Sequence, residues 1–135
     1  MKKSCLVLIA HGSRNPHWRG PFEAILKELR QEYGEDRVYL SFMEMSAPTL
    51  PEVVRELVEA GERQLRIMPI FMARGNHFDH DIPEQTAELM RRHPGVTIEI
   101  LPPIGSHPRF AVMMSELVQD FVKTADASKS GQIGH

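Results

Sequence analysis

A chain of 135 residues is long enough to bury one core of ordinary domain size. Its formal charge of -2 lacks the basic excess that marks a nucleic-acid partner, and no stretch approaches the roughly 18 apolar residues of a membrane span. The lone cysteine, Cys5, excludes a disulfide framework within the chain and points to a reducing cytoplasm. Met1-Lys2-Lys3 looks like a signal n-region, but the apolar run behind it stops at His11 without a cleavage site.

Cys5 to Ala10 is a continuous apolar run, the signature of a strand buried on both faces. The polar turn His11-Gly12-Ser13-Arg14-Asn15-Pro16 follows it. From about His17 to Tyr33, the spacing of Phe22, Ile25, Leu26, Leu29 and Tyr33 predicts a helix with one apolar stripe, ended by Gly34. Arg37 to Met43 reads as a second strand, closed by Glu44. Thr49-Leu50-Pro51-Glu52 matches a capping box, and Leu50, Val53, Val54, Leu57 and Val58 give the second helix its buried face, with Gly61 at its end.

Gln64 to Met72 is the third strand, and it stops abruptly at Ala73-Arg74-Gly75-Asn76. His77, Asp79, His80 and Asp81 come next, and Asp81-Ile82-Pro83-Glu84 opens a third helix reaching about Arg92, with Ala87 and Met90 among its inward candidates. Val96 to Leu101 alternates more, as a strand near a sheet edge does. Ser106 or His107 is suited to cap a fourth helix that has Pro108 in its first turn and Phe110, Met114, Leu117, Phe121 and Val122 toward the core. Residues 125–135 are small and polar, composed like a frayed, flexible tail behind a single domain over 1–124.

Strands alternating with helices through short connections predict an α/β fold in three layers, a four-stranded mainly parallel sheet with helices on both faces. Right-handed crossovers then bring every βα turn to one rim, so His11, Glu44 and His77 converge there, where open α/β sheets bind ligands. Imidazole and carboxylate together suit cobalt, nickel, iron or zinc. Each residue also has a plainer reading. His11 can be a ligand, a base or the start of a turn, with Gly12 serving either a ligand's approach or the turn itself. Glu44 can be a third ligand, a general base or an exposed strand end. Asp79 and His80 read better as solvated loop, and Asp81 as a helix N-cap. Met43, Met45, Met68 and Met72 read as core filler rather than sulfur ligands. Arg14, Arg19 and Arg74 lie near the rim, where they can meet substrate carboxylates. No P-loop, dinucleotide fingerprint, nucleophile elbow or H-E-x-x-H occurs.

L-I-A-H-G-S-R at the first strand, F-M-E-M-S-A-P-T-L-P-E around Glu44, P-I-F-M-A-R-G-N-H-F-D-H-D-I-P around His77 and P-P-I-G-S-H-P before the last helix resemble the sirohydrochlorin cobaltochelatases of the short, CbiX-like form. The resemblance spans nearly the whole chain. It implies a class II chelatase-like fold and ATP-independent insertion of a divalent metal, cobalt first and nickel or iron as alternatives, into sirohydrochlorin. It places the metal-binding and catalytic groups at His11, His77 and Glu44. It also implies a homodimer, because longer relatives form the cleft between two such domains. The metal is then a substrate, with no cofactor permanently bound. Ser13, Arg14, Arg74 and Gly75 are the candidates for substrate binding, the arginines facing the macrocycle's peripheral carboxylates. Two other classes compete. Histidine phosphatases carry Arg-His-Gly, and here Ala10 stands in the arginine's place. A non-catalytic carrier of metal or tetrapyrrole would share the same ligands.

Overall fold

A computed structural model describes residues 4–131, with the side chains of residues 4–126 other than that of His77. Strands β1 (Cys5–Ala10), β2 (Val38–Phe42), β3 (Gln64–Pro69) and β4 (Thr97–Ile100) form one sheet in the order β2-β1-β3-β4. Every pairing is parallel. The expected mainly parallel four-stranded sheet is therefore wholly parallel, with β4 at an edge as its alternation implied. β3 ends three residues earlier than its apolar run suggests. Pro69 has no N–H to give the ladder, and pairing resumes for one bond only, where the Ile70 N–H meets the Ile9 carbonyl at 2.8 Å.

Helices α1 (Gly20–Tyr33), α2 (Leu50–Glu59) and α3 (Ile82–Arg92) make the outer layers. Alternation along the strands divides the core in two. On one face Leu8, Ala10, Val38, Leu40 and Phe42 meet Phe22, Leu26 and Leu29 of α1. On the other, Val7, Ile9, Leu65, Ile67 and Ile98 pack against α2 and α3 through Leu50, Val53, Val54, Leu57, Ile82 and Leu89. The capping box forms as expected, Thr49 and Glu52 each satisfying the other's backbone N–H.

Several expectations are corrected. α1 begins at Gly20 rather than near His17, because the Asn15 carboxamide and carbonyl hold His17 and Trp18 in a turn. Ile25 and Tyr33 are exposed, since α1 covers only the β1–β2 half of its face. In α3 the buried stripe is Ile82, Thr86 and Leu89, one residue out of phase with Ala87 and Met90, which face solvent. A π-helical turn over His77–Asp81 precedes α3, so Asp81 already has helical backbone and its side chain does not cap the helix.

The largest departure is α4 (Pro108–Gly131), which runs well into the segment expected to fray. His107 caps it, its Nδ1 accepting the Arg109 N–H at 3.1 Å. Met114, Leu117, Phe121 and Val122 do not reach the core. They are exposed together with Val112, Met113 and Val118. Residues 132–135 of the expected tail lie outside the described residues.

Candidate active site

The sheet order puts its topological switch point between β1 and β3, where one chain leaves toward α1 and the other toward α3 on the opposite face. Such a divergence opens a crevice at the carboxyl ends of the strands. His11, Trp18, Phe22, Ile70, Phe71, Met72, Ala73, Gly75, Asn76 and Phe78 line a cleft of about 400 Å³ there.

His11 lines this cleft, and Glu44 stands beside it. The His11 Nδ1 lies 3.7 Å from a Glu44 carboxylate oxygen, and both side chains are about two-fifths exposed. That separation is too long for a hydrogen bond. Phe71 stacks on the imidazole, with ring centroids 4.5 Å apart and planes 19° from parallel. Phe71 is buried, so it is a fixed floor that restricts rotation of His11.

Backbone contacts lock this pair in place. A Cβ on Gly12 would lie 1.5 Å from the Glu44 carbonyl oxygen, so only glycine lets the two strand ends approach this closely. Of the two earlier readings of Gly12, close approach wins, but to backbone rather than to ligand. The Ser13 N–H donates to the Ser46 hydroxyl, which donates back to the Ser13 carbonyl, both at 3.1 Å. Between Glu44 and Ser46, Met45 takes φ 64° in a three-residue turn closed by the Ser46 N–H on the Glu44 carbonyl at 2.8 Å. A branchless glycine is the usual tenant of that region, so strain is held beside Glu44. The last motif braces the third strand's tail in the same way. The Gly105 N–H donates to the Phe71 carbonyl at 2.9 Å, and a Cβ there would meet the Met72 carbonyl oxygen at 1.7 Å.

The other candidates divide. Gly75 lines the cleft in open space. His77 opens the π turn between two cleft-lining residues, Asn76 and Phe78, while its side chain lies outside the described residues. Arg74 donates to one Asp79 oxygen from Nη2 at 2.9 Å and lies 5.0 Å over the Phe78 ring. Asp79, expected as a solvated loop residue, is thus the partner of Arg74, and His80 is exposed as expected. Arg14 is exposed on the first turn. The Ser13 hydroxyl accepts the Asn15 N–H at 3.0 Å and shapes that turn. Arg19 lies at the rim beside the end of β2, but its guanidinium is engaged there. It donates to the Ala47 carbonyl, pairs with Glu23 and covers the Phe42 ring. Met45 and Met72 are exposed rather than core filler, Met72 as part of the cleft wall. Among the described residues no group of three or more His, Cys, Asp or Glu side chains is gathered as a metal cage. Phe71 and Trp18 escaped the sequence reading because each fits ordinary apolar patterning.

A family model, CbiX, matches residues 5–121. The chain is 30% identical over 123 residues to the sirohydrochlorin cobaltochelatase of Sulfurisphaera tokodaii, with 91% of this chain and 98% of that one covered. It is 34% identical over 79 residues to the enzyme of the same name from Methanococcus maripaludis, covering 58% of this chain and about half, 55%, of that relative's length. Among solved structures it is similar to one named as a cobalamin (vitamin B12) biosynthesis CbiX protein from Marinobacter aquaeolei VT8, with a TM-score of 0.80 and 27% identity over 93% of this chain and 99% of that one. The family match takes in all four strands, the switch-point cleft and the first half of the last helix, and the chain belongs to the CbiX family.

Proposed function

We infer that the protein inserts a divalent metal ion, cobalt in the first instance, into sirohydrochlorin without ATP. The observation that carries this reading is the His11–Glu44 pair, whose histidine lines an otherwise mainly apolar cleft at the sheet's switch point. Curated relatives bearing the name sirohydrochlorin cobaltochelatase support it.

Insertion exchanges two pyrrole N–H protons for one metal ion, which must shed water as it enters. A neutral imidazole from His11 can replace one of those waters, and His77 is proposed as the second. Glu44, beside His11, is suited to accept a pyrrole proton or to join the ligand set. Holding macrocycle and ion together supplies the positional part of the rate. Arg14, Arg74, Ser13 and Gly75 are proposed to meet the substrate's peripheral carboxylates, Arg74 by exchanging Asp79 for a ligand carboxylate. Nickel and iron are the alternatives that imidazole and carboxylate equally allow.

A homodimer is part of the same proposal, supported by the wide apolar face that α4 leaves exposed. Placement in the cytoplasm is supported by the single cysteine.

The test is absorbance of sirohydrochlorin mixed with protein and Co²⁺, beside Ni²⁺, Fe²⁺ and a protein-free control. Accelerated conversion that His11→Ala and His77→Ala each reduce at least a hundredfold is expected. Tight binding without acceleration would turn the reading into a carrier of metal or tetrapyrrole.

A further inference from the structure

Trp18 occupies an unusual place in the cleft. Its indole N–H is already satisfied, donating to the His11 carbonyl oxygen at 2.6 Å. Yet the residue remains 40% exposed. With the polar end engaged, much of what faces solvent is apolar ring surface, which a soluble domain gains by covering. The ring is also held. Phe22 meets it edge-on, 5.6 Å between centroids and 61° between planes, and Phe22 in turn meets Phe42 of the core.

The chemistry of the surrounding wall selects the kind of ligand. Phe22, Ile70, Phe71 and Phe78 share the cleft with His11 and Asn76. A site for a hydrated ion alone would be lined with oxygen ligands. An aromatic, mostly apolar wall beside one imidazole suits a flat conjugated ring whose centre carries nitrogen. A rigid aromatic wall binds such a ring at little cost in side-chain entropy.

We propose that Trp18 is a substrate-binding residue, the wall against which the planar macrocycle lies, with its aromatic ring, beside the metal-handling imidazole, making the contact. This rests on the chelatase reading above and extends it to a residue outside the histidine–carboxylate set. Trp18 acts on binding, so its loss falls on KM. His11 acts on the ion, so its loss falls on kcat.

The chain contains a single tryptophan, so its emission reports on this cleft alone. Full-length protein is titrated with metal-free sirohydrochlorin. Energy transfer to the macrocycle dims the emission wherever the ring binds nearby, which measures binding but not contact. Contact is read from acrylamide quenching of the remaining emission lifetime, expected to weaken at least threefold once the ring covers the indole. In turnover with Co²⁺, Trp18→Ala is expected to raise KM about tenfold with kcat changed less than threefold. Trp18→Phe, which keeps a ring but not the N–H, is expected to recover most of that KM loss. Dimming with unchanged acrylamide access, or a Trp18→Ala enzyme with normal KM, overturns the proposal and leaves the chelatase reading standing. A Trp18→Phe enzyme as impaired as Trp18→Ala also overturns it, because the N–H bond alone would then matter. Neither dimming nor metal insertion overturns the chelatase reading and this proposal together.

Discussion

Replacing Gly12 by alanine puts a methyl carbon 1.5 Å from the Glu44 carbonyl oxygen, 2.7 Å from its carbonyl carbon and 3.0 Å from the Ser46 nitrogen. All three atoms are backbone, so no side chain can swing aside. Ordinary contact begins at 3.4 Å, and the turns after β1 and β2 must therefore part by about 2 Å. Gly12 does not take positive φ, unlike Gly34, Gly61 and Gly95, so backbone conformation adds nothing to the penalty. Overpacking of this kind costs about 1–3 kcal/mol, a fall of roughly 4–12 °C in Tm for a domain near this size. The functional cost is larger. The displaced atoms carry Glu44 away from His11, and a misplacement of about 1 Å can cost about a hundredfold in rate. The assay is initial-rate Co²⁺ insertion into sirohydrochlorin at a temperature where circular dichroism shows the variant folded. Gly61→Ala is the control. It must adopt φ 96° with nothing within 4 Å, so it loses about 1–2 kcal/mol of stability and keeps its rate per folded molecule. A Gly12→Ala enzyme with a rate within twofold of the parent, or a Gly61→Ala enzyme as slow as Gly12→Ala, would refute the reasoning.

Other consequences are checked more briefly. Thr49→Ala removes one side of the α2 capping box and is expected to lower stability by about 1 kcal/mol in urea titration, with activity unchanged. The Thr49 backbone N–H holds the Glu52 carboxyl below its ordinary range. Its stabilising share is therefore present above the unfolded-state value and lost as pH falls through the lowered one, so the deficit of Glu52→Ala should shrink in acid. Burial pushes the Cys5 thiol up to about 11, with Glu62 adding to the effect. It should resist a thiol reagent at pH 8 in the native protein and react at once in guanidinium. Because the folded value is raised from 9.0, its contribution to stability is lost as pH climbs from 9 toward 11. The apolar face of α4 should be covered by a second copy, so light scattering is expected to give twice the 15.4 kDa chain mass and Leu117→Glu with Phe121→Glu to halve it. A wild-type mass of one chain at micromolar concentration would count against the homodimer.

The local sequence specified most of the scaffold. β1 is bounded as read, because a run of Cys5 to Ala10 ending in His11-Gly12 admits little else. The capping box at Thr49 and Glu52 is visible in four residues, since both partners of each bond lie within one turn. The convergence of His11 and Glu44 was legible too, because strands that run parallel end their successive βα turns at one rim. What only the tertiary structure decided depends on residues distant in the chain. Gly12 is required by a carbonyl 32 positions away, and nothing in the neighbourhood of His11 announces it. Phe71 and Trp18 look like core and helix residues until the switch point brings them beside His11. The apolar stripe of α4 was read correctly as a stripe. A period of 3.6 says which side of a helix is apolar, but not whether the same chain supplies the surface that covers it, and here α4 projects with that side exposed.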